Sequence, residues 1–353
     1  MHRLRLCFPS LGADAFLVTH LPNIQYLTGF SGSAALLLVG SSQSTLFTDS
    51  RYTIQARQEV TASRVVIAKK GLIRELGSHV GGRRGRMRIA FSPAHVTMAQ
   101  KAALDAAGGA RVRWVSGSDA IERLRAIKDS AELEAIRAAA KLISQVVARI
   151  MPAIRPGISE LEVAGRLEYS MKRLGATGAS FETIVASGVR SAWPHARASS
   201  KLLRKNELVV LDQGAILRSY CSDMTRTVFL GRAPAKIRRL YQAVLEAQEA
   251  AKAAIQPGKT AGEVDAAARS VLKGHRLAKY FTHSTGHGLG LEVHEMPRLG
   301  RGEKTILELG MVLTIEPGVY IEGLGGIRIE DDIVVTPAGA ETLTTSPREF
   351  LEL

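Results

Sequence analysis

Cysteine is nearly absent from this 353-residue chain. With only Cys7 and Cys221, far apart, a disulfide framework of the kind that builds small secreted domains is excluded. Long apolar runs are missing too: no stretch approaches the length of a membrane span, and the apolar segment after Arg3 and Arg5 is broken by Asp14 without a convincing cleavage site. The expectation is a cytoplasmic protein with no membrane partner. Acidic residues are the scarcer charge, 33 against 47 Lys and Arg, giving a net charge of +14. That raises nucleic acid or an acidic surface as a partner. The basic residues are scattered, however, with clusters only at Arg83, Arg84, Arg86 and Arg88 and at Lys236, Arg238 and Arg239. No aromatic residues interleave with them and no nucleic-acid motif is present, so a basic solvated surface is the reading and nucleic acid is not an expected partner.

What is there exceeds one ordinary domain in length, and an apolar content of 46% suffices for more than one core. The first part reads as compact α/β. Short apolar runs at residues 14–20, 34–40, 44–49, 64–70 and 86–92 are strand candidates, with helical stretches at 51–59 and 97–107. Its histidines, His20, His79 and His95, are isolated and read as structural. Gly117 and Ser118 break the chain, placing a domain boundary at 118/119. Asp129 and Glu132 then have capping-box spacing before a long helix with Leu133, Ile136, Ala140, Ile143, Val147 and Ile150 on its core face.

An internal repeat follows. Residues 154–163, IRPGISELEV, return as 255–264, IQPGKTAGEV. Each copy closes one helix with Pro-Gly and opens another at a capping-box spacing, Ser159 with Glu162 and Thr260 with Glu263. Each capped helix leads to a histidine-bearing segment and then to strands carrying two acids: His195, Asp212 and Asp223 in the first half, His287 or His294, Glu316 and Glu330 in the second. Two halves facing each other across a pseudo-two-fold axis would bring four carboxylates to one centre.

The acids carry the chemistry. Asp212 ends the apolar run 208–211, and Asp223 lies in a second strand-like run. Two ionised carboxylates buried together must share a proton or a cation. Glu316 ends another apolar strand, and Glu330 is placed inside a strand whose alternation sends Ile327 and Ile329 to one face and Arg328 and Glu330 to the other. Two Asp, two Glu and one His form an oxygen-rich set that suits a pair of Mn, Co, Zn or Fe ions. Cys221 shares the strand parity of Asp223 but reads as a small buried residue.

This constellation resembles the pita-bread metallopeptidases, the family of aminopeptidase P, prolidase and methionine aminopeptidase. The segments PNIQYLTGFSGS and LFTDSRYTIQA look like the creatinase and prolidase amino-terminal domain. The resemblance implies an α+β protein: a small α/β domain over 1–118 and a duplicated pita-bread domain with a curved antiparallel sheet over 119–353. It implies metal ligands at Asp212, Asp223, His287, Glu316 and Glu330, and two divalent ions, Mn first. By resemblance His195 and His294 would hydrogen-bond the substrate, His283 would line the same pocket, Arg328 would balance the acids or gate the site, and Glu316 would also shuttle the proton to the leaving nitrogen. Glu292 and Glu295 read as solvated or structural. Peptides with proline in second position are the implied substrates and a homodimer the implied assembly. The expected activity is that of an Xaa-Pro aminopeptidase, with Xaa-Pro dipeptidase as the alternative. Methionine aminopeptidase lacks the amino-terminal domain, a metal-free creatinase-like relative would not need all five ligands, and a non-catalytic binding module would be expected to have lost some of them.

Overall fold

The computed structural model describes residues 1–82 and 85–353, so Arg83 and Arg84 of the first basic cluster lie outside the described residues. The chain divides into two compact units, Met1–Arg125 and Ala126–Leu353. The division comes later than 118/119 because Ile121, in the helix Ala120–Ala126, is buried in the core of the first unit.

The first unit holds a six-stranded sheet in the order Arg64–Ile67, Ser44–Thr48, Ala35–Gly40, Ala15–Val18, Met87–Phe91, Val112–Ser116, with mixed parallel and antiparallel pairing. Phe16, Val18, Leu37 and Val39 enter one core, and Ala15, Leu17, Leu36 and Leu38 enter another. A sheet covered on both faces needs apolar residues at both parities, which is why these strands read as unbroken apolar runs.

In the second unit the long helix is Ser130–Ile150. Asp129 caps it reciprocally with Glu132, and Ile136, Ala140, Ile143, Val147 and Ile150 are buried. The repeat is visible as duplicated hydrogen bonding. Gly157 N–H donates to Leu203 O as Gly258 N–H does to Leu307 O, both at 2.9 Å; Glu160 N–H donates to Lys201 O at 3.0 Å as Ala261 N–H does to Thr305 O at 2.9 Å. Gly157 and Gly258 share a left-handed backbone, φ +92° and +88°, that other residues adopt at a cost. The two helix starts differ in one respect. Thr260 and Glu263 form the full capping box, whereas Ser159 only accepts from Glu162 N–H, and the Glu162 carboxylate turns outward to Arg166 at 2.6 Å. Each half has its own core, one built mainly from residues 142–230 and one mainly from 229–335.

Among the described residues the strands of this unit pair with one another antiparallel, and Phe229 makes one isolated parallel bridge to Glu352. Ile184–Ser187, Leu208–Gln213 and Met224–Phe229 make the first half's central sheet. The second half's runs Glu295–Leu299, Gly286–Gly288, Val312–Ile315, Asp331–Thr336, Gly339–Thr342, with the hairpin Gly318–Ile321 and Gly325–Arg328 continuing beyond it. The halves meet where Glu330 N–H donates to Thr225 O, 3.1 Å, and Arg328 N–H to Thr227 Oγ1, 3.1 Å.

Candidate metal centre

The acids sit where strands end or bend. Asp212 is inside Leu208–Gln213, while Asp223 lies just ahead of Met224–Phe229. Glu330 is not within a strand as its alternation led us to expect. Glu316 and Pro317 interrupt one arm of the hairpin opposite Ile329 and Glu330 in the other, since Ile315 pairs with Asp331 and Gly318 with Arg328. Freed from regular pairing there, both glutamates reach the same cleft. The alternation still governs the faces: Ile327 and Ile329 are in the core, and Arg328 and Glu330 line the cleft.

That cleft, of about 690 Å³, is lined by every residue singled out from the sequence: Asp212, Asp223, Glu316 and Glu330, His195, His283, His287 and His294, and Arg328. A larger cavity of about 890 Å³ lies in the first unit, but among the described residues Arg74 is its sole ionisable lining residue, so the smaller cleft is the candidate site.

Asp223, His287 and Glu330 offer ligand atoms all within 4.8 Å of one another. His287 Nδ1 lies 3.0 Å from Gly288 O and so carries the proton, leaving the Nε2 lone pair facing Glu316 Oε1 at 3.4 Å and Asp223 Oδ2 at 3.7 Å. Asp212 stands apart from the triad, with Oδ2 held by Arg328 Nη2 at 2.6 Å. Its other oxygen, Oδ1, and Oδ1 of Asp223 are buried without a hydrogen-bond partner. Burial and then the neighbouring acids hold Asp223 and Glu330 well above the ordinary carboxyl range; burial pushes Glu316 up to about 8 against the pull of Arg328. Burial first, with His294 adding, brings His287 down to about 4, so its ring is neutral at physiological pH. Orphaned carboxylate oxygens, repelling acids and a neutral imidazole with its lone pair aimed among them are the donor set that a hard or borderline cation completes.

The remaining residues divide by what they touch. His195 and His294 are exposed at the mouth, and desolvation of part of its ring together with His195 keeps His294 below its ordinary range. The His287 and His294 rings meet edge to face at 4.3 Å. His283 lines the cleft with both ring nitrogens engaged: Nδ1 is 2.8 Å from Ser284 O and Nε2 2.8 Å from Tyr320 Oη. Nδ1–H therefore donates to the carbonyl, Tyr320 O–H donates to Nε2, and Arg328 Nη1 donates to Tyr320 Oη at 2.6 Å. Arg328 Nε also donates to Thr225 Oγ1, 3.0 Å, which donates to Glu330 Oε2, 2.6 Å. Tyr320 and Thr225 were not singled out from the sequence. Thr225 has the strand parity of Asp223 and could have been found that way; for Tyr320 the bend after Glu316 removes the parity signal. Cys221 is buried beside Ile136 and Leu289, and burial pushes its thiol up to about 12.

Residues 134–337 match the metallopeptidase family M24, and residues 1–127 match the creatinase/prolidase N-terminal domain. The Xaa-Pro dipeptidase from Bacillus anthracis superposes with a TM-score of 0.96 at 39% identity, covering 100% of this chain and 98% of that one. The Xaa-Pro dipeptidase of Pyrococcus horikoshii is 37% identical over 96% of this chain and 94% of its own length. The X-Pro aminopeptidase from Thermotoga maritima gives a TM-score of 0.89 at 37% identity, covering 98% and 99%. A creatinase/prolidase-type first unit, a duplicated second unit and a cleft walled by acids and histidines thus fall within one family: the chain belongs to the metallopeptidase family M24.

Proposed function

We propose that this chain hydrolyses Xaa-Pro dipeptides with two bound divalent metal ions. The observation that carries the metallopeptidase chemistry is the cluster of Asp223, His287 and Glu330, flanked by Glu316 and by the orphaned Oδ1 of Asp212. The dipeptide assignment rests on the two full-length dipeptidase relatives, which support it above the aminopeptidase activity expected from the sequence. Aminopeptidase action on longer peptides is the second reading, supported by the Thermotoga relative.

In this reading Asp212, Asp223, His287, Glu316 and Glu330 hold the ions, Mn first among Mn, Co, Zn and Fe. When bound, such ions acidify a water and polarise the scissile carbonyl. Arg328 balances the acids and fixes Asp212 Oδ2, leaving Oδ1 for a ligand. His195 and His294 hydrogen-bond the peptide at the mouth. His283, with both nitrogens engaged, acts on the substrate's surroundings by holding Tyr320 against Arg328. Glu316 receives a proton at its carboxylate and passes it to the leaving proline nitrogen. A Glu316→Gln enzyme with metal bound and full turnover would remove Glu316 from that role. Cytoplasmic residence belongs to the same reading, supported by two free cysteines. Among the described residues no helix is long and apolar enough to cross a membrane.

The test strips the protein with chelator, restores Mn, and compares an Xaa-Pro dipeptide with a tripeptide extended after proline. Faster metal-dependent cleavage of the dipeptide supports the proposal. Preference for the tripeptide transfers the chain to the second reading, and no cleavage of either refutes both.

A further inference from the structure

Lys128 and Glu295 form an ion pair that the chemistry above does not use, and it is among the most buried in the molecule. Lys128 Nζ lies 3.4 Å from Glu295 Oε2, with side chains 1% and 5% exposed. Placing two charges out of water is costly before their attraction returns it, so a pair of this kind needs a structural consequence to account for its position. Glu295 was expected to be solvated or structural, and the structure puts it in the interior.

The consequence lies in the turn that carries His294. Glu295 Oε1 accepts the Glu292 N–H at 3.0 Å, and Gly290 N–H donates to Glu292 O at 3.0 Å, closing residues 290–295 into a compact loop. The carboxylate rests on the bare face of Gly290: a Cβ there would stand 2.6 Å from Oε2 and 2.8 Å from Oε1. Gly290 O in turn accepts from Cys221 N–H at 2.8 Å, tying the loop to the first half. Lys128 is fixed from the other side. Its N–H donates to Gly310 O at 3.1 Å and its Nζ donates to Ala126 O at 3.3 Å, immediately before Asp129 caps the long helix. A charge rooted in that helix start therefore aims one oxygen of Glu295, leaving the other to close the loop. Next to Glu295, one residue ahead of the strand Glu295–Leu299 that pairs with the bulged segment His287–Gly288, stands His294, 4.3 Å from the His287 ring.

We propose that Lys128 and Glu295 are positioning residues: their buried ion pair closes the 290–295 loop and so sets His294 opposite His287 at the mouth of the cleft. Glu295 borders the cleft, but neither residue is among the ligands or peptide contacts given above, and both act through His294. The inference rests on the role given to His294 above, so one of its tests does not depend on activity.

The first measurement is side-chain NMR of histidine-labelled, metal-free protein, with ring signals assigned by single His→Gln variants. Lys128→Met is expected to shift and broaden the His294 signal while leaving those of His20 and His95, in the other unit, in place. An unmoved His294 signal overturns the proposal whatever the substrate proves to be. The second is a double-mutant cycle on Xaa-Pro hydrolysis by the Mn-loaded enzyme. Lys128→Met is expected to lower kcat about tenfold with unchanged metal content, and to lower it by less than about twofold in a His294→Ala background, since residues acting through one another are not additive. The same tenfold loss in both backgrounds overturns the proposal. Full activity of His294→Ala alone strikes the role of His294 in the proposed function and leaves the NMR result standing. Glu295→Gln puts an amide against Lys128 Nζ and carries both measurements from the other partner should Lys128→Met not fold.

Discussion

Glu160 offers the sharpest test of how the first half holds its histidine. Its carboxylate is fully buried at the start of the helix Glu160–Arg173. Oε1 accepts the Ser187 N–H and O–H, both at 2.8 Å; Oε2 accepts Arg190 Nε at 3.1 Å and the Ser199 N–H and O–H at 3.1 and 2.6 Å. Ser187 and Ser199 bracket the segment that carries His195. Glu160→Gln keeps the volume but exchanges one acceptor for an NH2 group. In either orientation that group faces a backbone N–H, of Ser187 or of Ser199, which cannot turn away. The hydroxyls have little freedom either, since Ser187 Oγ accepts from Lys201 Nζ at 2.7 Å and Ser199 Oγ from Lys201 N–H at 3.2 Å. One stranded buried donor costs about 1–3 kcal/mol, and losing the charged partner of Arg190 adds to it. Arg190 is 22% exposed and regains solvation, so its share falls at the low end. A total of about 3 kcal/mol lies at the lower edge of what breaking a buried pair costs. For a unit of this size it should lower the melting midpoint by roughly 6–12 °C. The assay is a thermal melt of metal-loaded protein with kcat and KM measured on the same sample. A Glu160→Gln protein that melts with the parent and turns over at the parent's rate would refute the bracketing argument.

Asp265→Asn tests the corresponding device in the second half, where Asp265 Oδ1 accepts the Thr285 N–H and O–H at 3.2 and 2.8 Å, and Oδ2 accepts Arg269 Nε at 2.7 Å. Because Thr285 is two residues from His287, this change should lower metal content on dialysis, measured by elemental analysis, whereas Glu160→Gln should not. Tyr320→Phe leaves His283 Nε2 without its O–H donor and Arg328 Nη1 with Pro194 O, at 3.2 Å, as its remaining acceptor; a loss of about 1–3 kcal/mol is expected in a denaturant melt. Metal-free protein should be less stable at pH 8 than at pH 6.5. Glu316, at about 8 when folded against an ordinary 4.5, binds more protons folded than unfolded across that window, as do Asp223 and Glu330, so their contribution is full below about 4.5 and is lost as pH rises. His283 and His287, brought down to about 4, oppose this only below their ordinary 6.5. Reloading the metal expels the carboxyl protons and should remove the pH 6.5-to-8 loss, which melts of chelated and reloaded samples would show.

The sequence showed the site more fully than the fold around it, for a physical reason. Acids at the ends of apolar runs are costly anomalies, and Asp212, Asp223, Glu316 and Glu330 stand out because nothing else would put them there. Five strands of the first unit were legible as apolar runs, while Val112–Ser116 was missed: Arg113 interrupts it and every residue in it is exposed or half-exposed. Helices such as Leu21–Thr28 and Leu72–Gly81 escaped because they are short, eight and ten residues, too few turns for an apolar period to show. For Glu295 the sequence left solvated and structural roles both open, and the structure gives the structural one. Its partner Lys128 is distant in sequence, and a buried ion pair across such a separation leaves no local pattern.

The duplicated halves show which part of the design is held constant. In the frame of the repeat, Glu160 corresponds to Ala261, and Asp265 to Ala164. Yet Glu160 and Asp265 do the same work, each accepting the N–H and O–H of a hydroxyl residue where the chain turns toward the cleft, and each pairing with an arginine. The acid has moved by four residues, one helical turn, and positions that far apart share a helix face. The longer glutamate stands at the helix start and the shorter aspartate one turn further in. What the two halves keep in common is therefore a carboxylate under the strand end, at a height set by side-chain length plus helix position, not a residue type at a fixed place. The same reasoning explains why the capping boxes diverged: once Ser159 accepts from Glu162 N–H, Glu162 is free to face Arg166, because the buried anchoring of that helix start falls to Glu160.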